Sequence, residues 1–256
     1  MSSVKMPKKT HDRILAGLKR YQPIVRKLRE RDISEADTVT VIKDILTDLF
    51  GYDKYTELTS EQQIRGTFCD LAIQVDGKIQ YLAEAKSAGT NLNDNHLRQA
   101  VNYGANQGIE WVLLTNAIEW KIYRIKFAQP IDYVEVFSFD LTQLSSRSAD
   151  DISKLFMLCR ENVSTDALAE YHRQALILNR FVIAEIIQTE AVVSTIRREF
   201  KRLFPGVKIT DEDLQTMLAN GVLKRDTIDG DPPKEAKSIV KKATTALAKR
   251  VAKAKA

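Results

Sequence analysis

Long apolar runs are missing. No stretch of about 18 uncharged apolar residues occurs, so no membrane span is expected. The opening MSSVKMPKKTHDR has no apolar segment of the kind that drives secretion. Cysteine is scarce. Cys69 and Cys159 lie far apart, each in an apolar context and without a CxxC partner. They read as buried free thiols in a reducing, cytoplasmic compartment rather than as a disulfide. The three histidines, His11, His96 and His172, are scattered and lack ligand spacing, so a zinc or histidine-nucleophile site is not expected. No GxxxxGK[ST] phosphate loop is found, which argues against an ATP site. Only two tryptophans occur, Trp111 and Trp120. Both flank strand-like runs and read as packing residues rather than base-stacking platforms.

The remainder is ordinary for a globular chain, with 44% hydrophobic and 29% charged residues in 256. The charge is unevenly placed. Residues 1–31 carry ten Lys/Arg against Asp12 and Glu30, and residues 234–256 carry eight against Glu235. Both ends are therefore basic and the body is acidic. Basic ends suit a polyanion, because each neutralised phosphate releases counterions. Lysine-rich ends also simply solubilise a chain, and composition leaves both readings open.

Residues 1–9 read as a disordered basic start. Residues 10–31 form a helix pattern through Ile14, Leu15, Leu18, Tyr21, Ile24, Val25 and Leu28, with Pro23 interrupting or kinking it. The next helix is clearer. Ser34 is a good N-cap and Gly51 a C-terminal stop. Val39, Ile42, Leu46, Leu49 and Phe50 make one stripe, and Glu35 falls in the middle of it. A carboxylate heading an apolar stripe suggests an inward-facing functional group. The alternative is an acid that merely favours the helix macrodipole.

A strand candidate at Tyr55–Leu58 follows. Gly66 then opens a hairpin with strands at about 67–75 and 78–86 around Asp76-Gly77, a strong hairpin signal. Asp70, Glu84 and Lys86 sit inside these strands, where a charge is costly unless it is paired or binds a metal. Glu84 and Lys86 share a face, since side chains alternate. With a plain two-residue loop, Asp70 would point the opposite way. Convergence therefore demands an odd loop or a bulge between Val75 and Ile79, most simply a three-residue loop with left-handed Gly77. A polar loop at 87–93 precedes a helix at 94–107. Its apolar side is Leu97, Ala100, Val101, Gly104 and Ala105, flanked by Gln99 and Tyr103. Strands are expected at 110–115, 120–125 and 133–139, so the architecture reads as an α/β sheet with packed helices. Helical patterns then cover 151–160 and 166–204. Thr210 with Asp213 forms a capping box for a short helix, and 234–256 is a Lys/Ala-rich helix pattern.

Two acids and a lysine on one sheet face suit hydrolysis of a phosphodiester with a divalent cation, Mg²⁺ or Mn²⁺. Asp70, Glu84, the Ala85 carbonyl and Glu35 are the expected metal ligands. Lys86 would orient or help deprotonate the attacking water, its pKa lowered by the metal's charge.

Asp70, followed by Glu84-Ala85-Lys86, resembles the D…ExK signature of PD-(D/E)xK nucleases, with Cys69 where a proline is usual. Together with Glu35 to Asp53, Gln99 to Tyr103, and LLTN at 113–116 followed by Trp120, roughly residues 33–140 resemble the N-terminal nuclease domain of type I restriction enzyme R subunits. GVLKRDTIDG at 221–230 is similar to small stand-alone relatives of that domain. The resemblance implies a restriction-endonuclease-like mixed sheet flanked by helices, with a small helical C-terminal region. It implies catalytic Asp70, Glu84 and Lys86, and a Gln99/Tyr103 helix that supports the site or substrate. Without a phosphate loop it implies the nuclease module alone, with no ATP-driven motor. The expected divisions are a basic helical segment at 1–31, a nuclease domain at 32–145, a helical region at 150–225 and a basic tail at 231–256. The function expected is a Mg²⁺-dependent DNA endonuclease, acting in restriction or DNA processing. The alternative is a nucleic-acid-binding or partner-docking module that keeps the fold without independent turnover, with the helical region contacting a partner subunit or a second copy.

Overall fold

In a computed structural model, residues 6–31, 33–64, 67–163, 165 and 167–255 are described. Residues 1–5 of the disordered start expected at 1–9, and Gly66, lie outside them, while residues 8 and 9 are helical. The chain divides into two compact units, Met1–Ala169 and Glu170–Ala256.

The first unit is built on a six-stranded sheet in the order β1-β2-β3-β4-β5-β6: Leu58–Ile64, Thr67–Val75, Lys78–Ala85, Trp111–Thr115, Glu119–Lys126 and Asp132–Asp140. Neighbours are antiparallel except β3 and β4, which run parallel. That parallel pair needs a crossover, supplied by α3 (Arg98–Gln107) after a 3₁₀ turn at Asp94–Leu97. α3 packs close because its contact side is small. A Cβ on Gly104 would lie 2.6 Å from Ile125 Cδ1 and 3.0 Å from the Ile109 carbonyl. Leu97, Ala100, Val101 and Tyr103 share one apolar cluster with Ala72, Leu82, Val112, Leu114, Tyr123 and Ile125. By strand alternation, Trp120 and Ile122 take the other face, where the Trp120 ring meets Phe50 with centroids 5.5 Å apart.

α1 (Lys8–Glu30) begins two residues earlier than expected and continues through Pro23. Ile14, Leu18, Tyr21 and Val25 are buried, so this basic helix belongs to the core of the first unit. α2 (Glu35–Asp48) starts as expected, with Ser34 Oγ accepting the Asp37 amide. Its buried stripe is Thr38, Ile42, Ile45, Leu46 and Leu49, with Val39 only half-buried. Each such aliphatic side chain contributes on the order of 1.5–3 kcal/mol on burial. Gly51 turns the chain at φ +87°. There Arg13 ties three elements together. It donates to the carbonyls of Leu49 and Phe50 and forms a two-pronged pair with Glu161 at 2.7 and 2.8 Å.

The strand expected at Tyr55–Leu58 is a turn over 54–57, and the strand is Leu58–Ile64. α4 (Ala149–Met157) packs on α1, and α5 (Arg160–Val163) carries Glu161. The helical region expected from 150 therefore starts inside the first unit, and the division falls at 169/170.

α6 (Ala167–Ile177) crosses that division. The second unit holds α7 (Arg180–Ile187), α8 (Glu190–Leu203), α9 (Asp211–Met217) and α10 (Asp231–Lys255). The pattern at 166–204 is thus three helices rather than one run. Asn179 restarts the chain by capping the amides of Phe181 and Val182. Val182, Ala236 and Val240 join α7 to α10, while Val193, Leu214 and Leu218 join α8 to α9. The Thr210/Asp213 capping box is present. Among the described residues no helix is long and apolar enough to cross a membrane.

Candidate functional site

The hairpin solves the facing problem, though not at the expected place. Val75 pairs with Lys78 across a two-residue turn in which Asp76 (φ 52°) and Gly77 (φ 75°) are both left-handed. The loop is even, so the three-residue loop and the window from Val75 to Ile79 are corrected. Gln74 pairs with Ile79 but Ile73 pairs with Tyr81, which leaves Gln80 as the extra residue of a bulge. Two left-handed residues match the twist of a two-residue hairpin, so the turn keeps its preferred form and the register change moves up the strand. From Ile73 onward, residue i faces 154 − i, and Asp70 comes to the level of Glu84.

The pairing runs as far as Leu71↔Ala83. Beyond it the Asp70 side chain takes over: its Oδ2 accepts the Ala85 amide at 2.7 Å. Lys86 follows the end of β3, its amide held by the Thr115 carbonyl at the end of β4 at 2.9 Å. The charged group therefore sits at the carboxyl ends of the one parallel pair, where open α/β sheets leave a crevice.

The Lys86 ammonium is the centre of this group. It donates to Glu84 Oε1 at 2.7 Å and to the Ala85 carbonyl at 2.8 Å. Glu35 Oε2 lies 3.6 Å away and Asp70 Oδ2 3.9 Å away. These four oxygens belong to the four residues expected to hold a cation. Glu84 is the buried member, its side chain 7% exposed. Glu35 is half-exposed at 50%, which corrects the expectation that it heads a buried face. It lies at the open first turn of α2 and reaches the cluster from the rim.

Burial pushes the Glu84 carboxyl up. Lys86 pulls it down, Asp70 and Glu35 push it up again, and it ends above the usual range. Burial pulls the Lys86 ammonium down, but the bond to Glu84 and the charges of Glu84, Asp70 and Glu35 outweigh it, so it ends raised. The lowering expected for Lys86 rests on a metal's charge. Among three carboxylates alone the direction is the reverse.

The donor set suits a hard divalent cation, being oxygen throughout, and an ammonium already stands in at its centre. Among the described residues no group of three or more His, Cys, Asp or Glu side chains is drawn close enough to hold a metal by itself. The carboxylates gather around Lys86 rather than around each other.

Gln99 and Tyr103 are not brought into the cluster. Gln99 is exposed, and Tyr103 is buried in the apolar layer between α3 and the sheet. No hydrogen bond or ion pair among the described residues joins either to Asp70, Glu84 or Lys86. The Tyr103 hydroxyl is buried without a hydrogen-bond partner among them.

Asn116, the residue directly after β4, organises the rim. Its Oδ1 accepts the amides of Ile118 and Glu119, and its Nδ2 donates to the Thr90 carbonyl, fixing the loop after Lys86. An Asn just after an expected strand is the sequence signal for this, and the structure turns the next residue, Ala117, at φ 69°. Both cysteines are buried free thiols, pushed up to about 12 by desolvation. Trp120 is buried with its indole N–H on the Ala117 carbonyl, a packing role. Set against family models, curated proteins and solved structures, the chain matches none.

Proposed function

We propose that this protein is a divalent-metal-dependent phosphodiesterase of the restriction-endonuclease type that cleaves DNA. One observation carries the reading. Carboxylates from three separate segments, Glu35, Asp70 and Glu84, lie within 3.9 Å of a single lysine at the carboxyl end of β3. A fold that needed only a buried ion pair would be served by Glu84 and Lys86. Asp70 also accepts the Ala85 amide, but with Glu35 it adds like charge, which raises the cost of the metal-free site and is offset by further positive charge.

Asp70, Glu84, the Ala85 carbonyl and Glu35 would hold Mg²⁺ or Mn²⁺. When bound, the cation supplies charge neutralisation at the phosphate and an acidified water. Lys86, with three N–H donors, holds the attacking oxygen and the developing negative charge on phosphorus. Glu84, fixed by burial, keeps the donor geometry from relaxing. Glu35 sits at the open side, where a backbone phosphate enters. The half-exposed rim suits a polymeric substrate better than a small enclosed one.

DNA is the substrate the charge favours. Lys19, Arg20, Arg26, Lys27, Arg29 and Arg31 are exposed along α1 and after it. Arg31 is four residues from Glu35, hence at most about 14 Å away along the chain. Lys241, Lys242, Lys249, Arg250 and Lys253 form an exposed basic stretch on α10.

The test is incubation of plasmid and single-stranded DNA with the full chain in Mg²⁺, Mn²⁺ or EDTA, beside Glu84→Ala and Lys86→Ala. Metal-dependent cleavage lost in both variants is expected. Equal nicking by all three proteins removes the reading.

A docking role for the second unit is favoured by its own surface. Leu178, Leu203, Phe204 and Val207 are exposed at 78%, 54%, 53% and 47%. A partner subunit or second copy that covers them should vanish with Phe204→Asp in a measurement of mass in solution.

A further inference from the structure

The same four oxygens that would hold a metal already hold a cation. Lys86 Nζ is 2.7 Å from Glu84, 2.8 Å from the Ala85 carbonyl, 3.6 Å from Glu35 and 3.9 Å from Asp70. A lysine that only faced the substrate would extend from the strand end toward the open rim. Here the side chain folds back onto the carbonyl of the preceding residue and is only 19% exposed.

We propose that Lys86 is the internal counter-ion of the site, and that a divalent cation binds by displacing its ammonium from the oxygen cradle. The inference rests on the metal-dependent reading above and adds to it a competition between the chain's own cation and the metal. The reason is electrostatic and steric. An ammonium and a metal ion cannot both sit within bonding distance of Glu84 and the Ala85 carbonyl, and like charges at that spacing repel strongly. Displacement has a use. It moves Lys86 off Glu84 and toward the rim when the metal arrives, so the group that meets the substrate is released only in a loaded site. It also keeps the buried Glu84 compensated while the site waits.

Two sites that compete obey linkage: whatever Lys86 costs the metal, the metal costs Lys86. Removing the ammonium should therefore tighten metal binding. Mn²⁺ is titrated into the EDTA-stripped full chain, with free Mn²⁺ followed by paramagnetic resonance. The proteins are wild type, Lys86→Met, which keeps the apolar stem without the charge, and Glu84→Gln. Lys86→Met should bind at least about fivefold more tightly than wild type, and Glu84→Gln more weakly. Equal or weaker binding by Lys86→Met overturns the proposal.

Should Lys86→Met fail to fold without metal, wild type alone decides. The rate at which an amine-reactive label modifies Lys86, read by mass spectrometry, should rise several-fold on adding Mg²⁺, while exposed Lys27 is unchanged. An unchanged rate at Lys86 overturns the proposal. DNA cleavage is measured separately. Metal-dependent cleavage without tighter binding by Lys86→Met removes the competition and leaves the hydrolase. Tighter binding without cleavage does the reverse. No Mn²⁺ binding by either protein overturns both.

Discussion

Removing Lys86 should cost more stability than removing Glu84, and the two losses should not add. In Lys86→Met the Glu84 carboxylate stays buried beside Asp70 and Glu35 with no partner. Breaking a buried pair in this way costs about 3–5 kcal/mol. The lower end applies here, since the Glu84 pKa is already raised and protonation is the escape. In Glu84→Gln the ammonium keeps the Ala85 carbonyl at 2.8 Å and two carboxylates within 3.9 Å, and it is more exposed. About 1–2 kcal/mol is expected, the loss of one charge-assisted bond. The double variant buries no lone charge at position 84 and should lose about 2 kcal/mol, leaving a coupling of about 2–3 kcal/mol. Urea unfolding followed by circular dichroism in EDTA at neutral pH measures the cycle. The pH dependence has a definite sign. A carboxyl whose folded pKa is raised is least costly when protonated. The deficit of Lys86→Met should therefore shrink as pH falls into the range just above the ordinary glutamate value, and widen as pH rises through the folded pKa. Losses that add within about 0.5 kcal/mol, or a Glu84→Gln variant the weaker of the two, would refute the claim that this pair compensates a buried charge.

Other sites make separate predictions. Burial alone would raise the Glu161 carboxyl, but its bonds from Arg13, its own backbone amide and Thr10 win, so it sits below the usual range. Its contribution is present above the ordinary glutamate value and lost as pH falls through the folded pKa. Glu161→Gln should be about 1 kcal/mol less stable at neutral pH, discounted for a side chain 34% exposed, with the gap closing in acid unfolding below that value. A gap that persists at the lowest pH contradicts the pairing. Tyr103→Phe removes a buried hydroxyl that has no hydrogen-bond partner among the described residues and should gain up to about 1 kcal/mol with cleavage unchanged. A large drop in cleavage would instead give Tyr103 the supporting role that family resemblance implies. Gly51→Ala forces a side chain into φ +87° and drives its Cβ into the Arg13 guanidinium, so a loss of about 2 kcal/mol in thermal or urea unfolding is expected. A neutral outcome would mean that Arg13 is not locked in its place.

The sequence was most informative where chemistry and pattern coincide. Asp76-Gly77 marked the hairpin, Ser34 marked the start of α2, and the alternation at 120–125 marked β5. A charge at 70, 84 and 86 inside apolar strands was legible as a cluster, because burying charge is costly in any fold. β1 was missed because Leu58–Ile64 is mostly polar, as suits an edge strand, and carries no apolar alternation. The breaks at Leu178 and Gln188 escaped because apolar spacing runs on through them. The long-range pair of Arg13 with Glu161 has no local signal at all. Gln99 and Tyr103 show a different limit: one turn apart on a helix, they diverge, Tyr103 into the apolar layer and Gln99 into solvent.

The bulge draws these limits together. Parity alone required one extra residue between Asp70 and Glu84, and that requirement was met. Its position was not deducible, because the constraint counts residues without saying where the surplus falls. The turn has its own preference, two left-handed residues that match the strand twist, so the surplus is pushed to Gln80, where the bulge has neither turn residue to disturb. The consequence reaches the site. With the turn regular and the bulge above it, the pairing resumes in the shifted register and ends at Leu71↔Ala83. There the Ala85 amide is taken by the Asp70 carboxylate, at 2.7 Å. Asp70 therefore does two jobs through one oxygen: Oδ2 closes the end of the strand and also lies 3.9 Å from Lys86. Asn at position 70 can retain the first job through its amide oxygen but loses the charge required for the second. Asp70→Asn should fold with little loss and bind Mn²⁺ weakly, whereas Asp70→Ala should lose both, separating the strand-closing oxygen from the charge it carries.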